Sequence, residues 1–123
     1  MSDHRLGGLQ VLLLAAYAAG MAGGQLMFKL AAQRLTPGAS LGARLLELAA
    51  NPWFYAAFAL YCALALAWIW ILTFTPLSRA YPFVALAFAI TPLLGAWVFA
   101  EPIGWRLVGG IVVIAVGLFL VVG

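Results

Sequence analysis

Charge is nearly missing from this chain. Three acids and six bases are spread over 123 residues, 7% charged in all against 67% hydrophobic. A water-soluble domain is about a quarter charged and about half apolar, so soluble folding is excluded as the working expectation. The single histidine, His4, and the single cysteine, Cys62, leave no Cys/His spacing for a metal ion and no partner for an intrachain disulfide. Cys62 sits in an apolar run and reads as a small packing residue. No two carboxylates lie close together in sequence, and no glycine loop followed by Lys and Ser or Thr is present to hold phosphates. Enzyme chemistry, a bound cofactor and a metal centre are therefore not expected. The net charge of +3 is not read as a nucleic-acid surface, because the bases fall mostly at the edges of apolar runs, where they meet lipid phosphates.

What the chain does have is apolar runs. A span needs about 20 apolar residues to cross roughly 30 Å of hydrocarbon. Four such runs are found, at 9–32, 53–75, 80–100 and 105–122. The expected fold is an all-α integral membrane protein, a single domain over 1–123 with four transmembrane helices. The first run continues well past any signal-peptide cleavage site, so it is expected to remain as a span. The one long connection, 33–52, carries Leu41, Leu45 and Leu48 on one helical face, with Arg44 and Glu47 elsewhere. Ser40 is a natural N-cap, and Asn51-Pro52 ends the segment. A short amphipathic helix lying at the membrane surface between spans 1 and 2 is expected.

Within the spans a few residues stand out. Gly20 and Gly24 form a small-residue face that would let another helix approach closely, although glycine is common in membrane helices generally. Gly110 and Gly117 share a face of span 4, which suits packing against another helix or a second protomer. Pro92 follows Thr91 in the middle of span 3 and should bend it, either as a hinge or passively. Tyr61 and Trp68 are seven residues apart on span 2 and share a face, which either lines a ligand or is ordinary apolar bulk.

Lys29 is the one charge well inside an apolar run. Gln25 precedes it by one turn, so both side chains leave the same face. No acid lies within any span, so an internal partner for Lys29 is lacking and a bound anion would supply it. The competing reading is that Lys29, near the end of span 1, reaches up to the headgroups. Arg79, before Tyr81-Pro82, is either a headgroup anchor or a second contact for an anion. Glu101 is expected to cap or to pair locally with Arg106. Orientation is undecided: Arg5 and Arg79 fall on one side, Arg34, Arg44 and Arg106 on the other.

Several short patterns resemble one family. Thr91-Pro92-Leu93-Leu94-Gly95, then Glu101-Pro102, Gly109-Gly110 and Gly117 resemble the closing half of the drug/metabolite transporter superfamily (EamA-type domains). Gly24-Gln25 and Lys29-Leu30-Ala31-Ala32 resemble the first span of its four-helix members. Asn51-Pro52-Trp53 and Ala80-Tyr81-Pro82 resemble the openings of its second and third spans. Small multidrug resistance exporters in this superfamily carry a glutamate in the first span, and this chain has none there. The resemblance instead runs to the subunits that flip aminoarabinose-phosphoundecaprenol. It implies a multi-pass protein of the bacterial inner membrane that moves a polyprenyl-phosphate-linked sugar between leaflets, as a homodimer or as a heterodimer with a similar four-helix subunit. The implied site places the phosphate at Lys29, with the sugar near Gln25, Tyr81 and the span 2 aromatics Tyr61 and Trp68. The alternatives are a small multidrug or polyamine exporter of the same fold and a non-transporting accessory subunit.

Overall fold

A computed structural model of the chain describes residues 7–122, all of whose regular structure is helical. His4 and Arg5, the latter one of the charges in the orientation count, lie outside the described residues. Helix α1 (Gly8–Gln33) is followed by a short α2 (Leu41–Ala49) and by α3 (Pro52–Leu72). Then come one helical turn, α4 (Leu77–Ala80), a 3₁₀ turn over Tyr81–Phe83, and α5 (Val84–Phe99), which together form one continuous rod. Helix α6 (Trp105–Val122) ends the bundle. Three of these, Gly8–Gln33, Pro52–Leu72 and Leu77–Phe99, are long and apolar enough to cross a membrane, as in a multi-pass membrane protein. Helix α6 is apolar beyond Arg106 but shorter, 18 residues or about 27 Å.

Helix α1 is the centre of the arrangement. It packs against α3 on one side and α5 on the other, and α6 lies against α5. Residue size explains the close approach. Leu14, Ala18 and Ala22, each four residues from the next, are fully buried on α1, and side chains at that spacing form one ridge. A methyl group added at Gly20 would stand 3.0 Å from Leu64, and one at Gly24 would stand 2.5 Å from the Tyr61 ring. Both glycines are thus taken up by α3. Beyond this seam large apolar side chains point outward: Phe58, Leu66, Trp97, Val113 and Phe119 are each more than half exposed. In water such a surface would be costly; in hydrocarbon it costs nothing.

Two polar clasps close the α1–α3 pair. At one end the Gln10 amide N–H groups donate to the Phe74 carbonyl (2.9 Å) and to Thr75 Oγ1 (3.0 Å). At the other, buried Asn51 donates to the Ala31 carbonyl (2.9 Å) while its Oδ1 accepts from the Trp53 N–H (3.0 Å). Asn51 thereby caps the start of α3 and ties it to the last turn of α1, where the Ala31 carbonyl also accepts from the Arg34 N–H (3.1 Å).

Two boundaries differ from the sequence expectation by three residues. Span 2 ends at Leu72, three residues early, where the Thr73 hydroxyl donates to the Trp70 carbonyl (2.6 Å). The next helix begins at Leu77 and not at Ala80, because Pro76 forms its N-cap and its carbonyl accepts from the N–H groups of Arg79 and Ala80. Arg79 is therefore inside a helical turn and not in a loop. Helix α5 continues through Pro92 without interruption. Ser40 does cap α2, its Oγ accepting from the Ala43 N–H (3.2 Å). Leu41 and Leu45 of α2 are exposed, and Glu47 turns back to bond the Thr36 backbone N–H and hydroxyl.

Candidate functional site

The chemistry concentrates where α1 and α5 part. Gln25 and Lys29 come from α1, and Thr91, Pro92, Gly95 and Phe99 from α5. With Glu101 they line a half-open cleft of about 230 Å³. A second, more apolar hollow of about 320 Å³ adjoins it along the same seam, lined by Met21, Ala87 and Phe88 and again by Gln25, Thr91 and Pro92. A polar end and an apolar channel thus share three residues.

Lys29 has an internal partner, contrary to the sequence reading. Its Nζ stands 3.4 Å from Glu101 Oε2, the one ion pair among the described residues. Glu101 therefore does not pair locally with Arg106. The cause is local backbone geometry. Ala100 takes a left-handed conformation (φ 54°, ψ 35°) at the end of α5, which ends the helix in the way a glycine usually does. The chain then doubles back, and the Glu101 carboxylate lies over Gly95, where an added Cβ would come within 2.6 Å of Oε1. Gly95 is the seat that lets the acid reach α1. Both ionic side chains remain about half exposed, 48% and 46%. Such pairs contribute on the order of 1 kcal/mol or less, so a competing ion can displace either member.

Gln25 is held from behind. Its Nε2 donates to the Tyr61 hydroxyl (2.8 Å), which donates its own proton to the Met21 carbonyl (2.9 Å). The Tyr61 ring rests on Gly24 and stacks on Phe28, with centroids 5.2 Å apart. Gln25, Lys29, Tyr61, Gly24 and Pro92 are therefore gathered at one place.

The remaining candidates lie elsewhere. Trp68 packs on Tyr17 (5.0 Å) and against the edge of Tyr81 (6.3 Å), near the opposite end of α1. Tyr17 is 12 residues before Lys29, or about 18 Å along the helix. Arg79 donates from Nη1 to the Val121 carbonyl (2.6 Å), filling a vacancy at the C-terminus of α6 where cations are favoured. Trp68 and Tyr81 thus pack on each other, Arg79 reaches the end of α6, and none of the three is a wall of the Lys29 cleft. Gly110 and Gly117 of α6 have no atom within 4 Å of where a Cβ would stand, so their face is unoccupied within the described residues.

Glu101, Gly95, Thr91 and Phe99 escaped the sequence reading as residues of the site. A signal for the first was present. In an up-and-down bundle spans 1 and 3 end on the same side, so Lys29 near one end and Glu101 just past the other are natural neighbours. No family model, curated protein or solved structure matches the chain.

Proposed function

We propose that the chain is a bacterial inner-membrane transporter that moves a lipid-linked anionic headgroup between leaflets, with a polyprenyl-phosphate-linked sugar as the substrate class. The observation that carries this reading is the junction of the two hollows. An ammonium and an amide line the end cleft, and a groove of apolar side chains leads away from it along α1 and α5. That pairing suits an amphipathic ligand with a small charged head and a hydrocarbon tail that stays in lipid. In this reading the phosphate replaces the Glu101 carboxylate at Lys29, a charge-assisted contact, while the head hydroxyls meet Gln25.

The same proposal takes α6 as a fourth span and α2 as a helix at the membrane surface with Leu41 and Leu45 toward lipid. Helix α6 has one long neighbour, α5. A second four-helix chain, identical or similar, would enclose the cleft from the open side, as paired repeats do in transporters.

The test is reconstituted transport. Lys29→Met should lower headgroup translocation in proteoliposomes by at least about tenfold, the loss expected when a charge-assisted contact of roughly 1.5–3 kcal/mol is removed, with helicity and detergent elution unchanged. Full transport by the folded variant would overturn the reading. One observation favours a second reading, an exporter of organic cations: Glu101 supplies at the cleft the carboxylate that such a ligand needs. The sign of the Glu101→Gln effect separates the two. Loss of cationic-dye export in that variant, with no effect on an anionic lipid, would favour the exporter.

A further inference from the structure

The proton of Tyr61 decides which end of the Gln25 amide faces the ligand. A carbonyl oxygen can only accept a hydrogen bond, so the Tyr61 hydroxyl, 2.9 Å from the Met21 carbonyl, must spend its single proton there. What Tyr61 has left for Gln25, at 2.8 Å, is a lone pair. The Gln25 NH₂ must therefore point to Tyr61, because the opposite amide orientation would set two acceptors against each other. The Gln25 carbonyl oxygen is thereby turned away from Tyr61, and it accepts no hydrogen bond among the described residues. Tyr61 cannot easily move to change this, since its ring is held between Gly24 and Phe28.

We propose that Tyr61 is a positioning residue that makes Gln25 a hydrogen-bond acceptor in the cleft, one turn from the Lys29 ammonium, so that the site selects anionic headgroups bearing a hydroxyl over equally charged headgroups without one. This rests on the anion seat at Lys29. It adds the rule by which anionic heads are told apart: charge is read by Lys29 and the hydroxyl by Gln25. A site that must leave a polar group unpaired when the hydroxyl is missing discriminates well against the deficient ligand.

The experiment uses two lipids of the same chains and the same single negative charge, phosphatidylglycerol and phosphatidylmethanol, competing for the purified full chain in detergent and read by native mass spectrometry. The wild type should prefer phosphatidylglycerol by about fivefold, the worth of one ordinary hydrogen bond. Tyr61→Phe, which keeps the ring on Gly24, should bring the ratio close to one while affinity for phosphatidylmethanol stays within about twofold. Gln25→Leu should do the same. A lesion of packing alone would weaken both lipids together and leave the ratio unchanged. No preference in the wild type, or an undiminished preference in Tyr61→Phe, would overturn the inference. Lys29→Met is the separate control: if it binds phosphatidylmethanol as tightly as the wild type, the anion seat itself is wrong, whatever the ratio does.

Discussion

Lys29 and Glu101 show how a side chain's meaning depends on residues far from it in sequence. Seen alone, Lys29 in an apolar run asks for a counter-ion, and the nearest acids in the chain are too distant to suggest one. The counter-ion is Glu101, 72 positions on, brought back by a left-handed alanine and seated on a glycine. The demand for an anion was legible in the sequence. Its resident occupant was not, because alanine seldom ends a helix in the left-handed form, and a turn acid beside Arg106 looks locally satisfied. If an anionic head must displace this carboxylate, removing the carboxylate should help binding. Glu101→Gln is expected to raise the affinity for phosphatidylmethanol by roughly threefold to fivefold, the value of a weak half-exposed pair. Gly95→Ala should act in the same direction, since its Cβ would push the carboxylate off its seat. Binding titrations of the two variants check this, and reduced affinity in both would show that Glu101 assists the ligand instead of competing with it.

At the scale of elements, the apolar runs and the caps were the legible part. Ser40 at the start of α2 follows from side-chain chemistry within a few residues, and the structure has it. What is not local was not legible. Asn51 reads in sequence as the end of a segment, yet it also clasps α1 through the Ala31 carbonyl. Likewise, Arg79 reads in sequence as a headgroup anchor or an anion contact, yet it bonds the Val121 carbonyl at the end of α6. The clasp has a measurable consequence. Asn51→Ala removes an N-cap worth about 1 kcal/mol and a hydrogen bond between helices worth about 0.5–1.5 kcal/mol, so a loss of about 1.5–2.5 kcal/mol is expected in reversible unfolding in mixed micelles. Asn51→Asp keeps an acceptor for the Trp53 N–H but sets a carboxylate against the Ala31 carbonyl. It should destabilise at least as much. A well-tolerated aspartate would mean that the cap alone matters and the clasp does not.

For the whole molecule, the packing is lopsided. Helix α1 is flanked by two helices, while α6 touches the bundle along one side and turns Val113, Phe119 and the Gly110–Gly117 face outward. Small residues on one face of a membrane helix let another helix come close, and among the described residues none comes close to this face. This makes the two glycines a clean probe of assembly. A Cβ at either position has no described atom of a neighbouring helix within 4 Å, and in a helix valine is less costly than glycine, so the folded single chain should be unharmed or slightly stabilised. If a second four-helix chain covers this face, Gly110→Val with Gly117→Val should push the protomers apart, lowering transport and shifting the detergent-solubilised protein toward monomer by at least about tenfold, since overpacking a tight interface costs on the order of 1–3 kcal/mol. If the face meets only acyl chains, which adjust freely, the double variant should transport and sediment as the wild type does. Light scattering of the purified protein, read beside the transport assay, separates a face built for a partner from one that merely faces lipid.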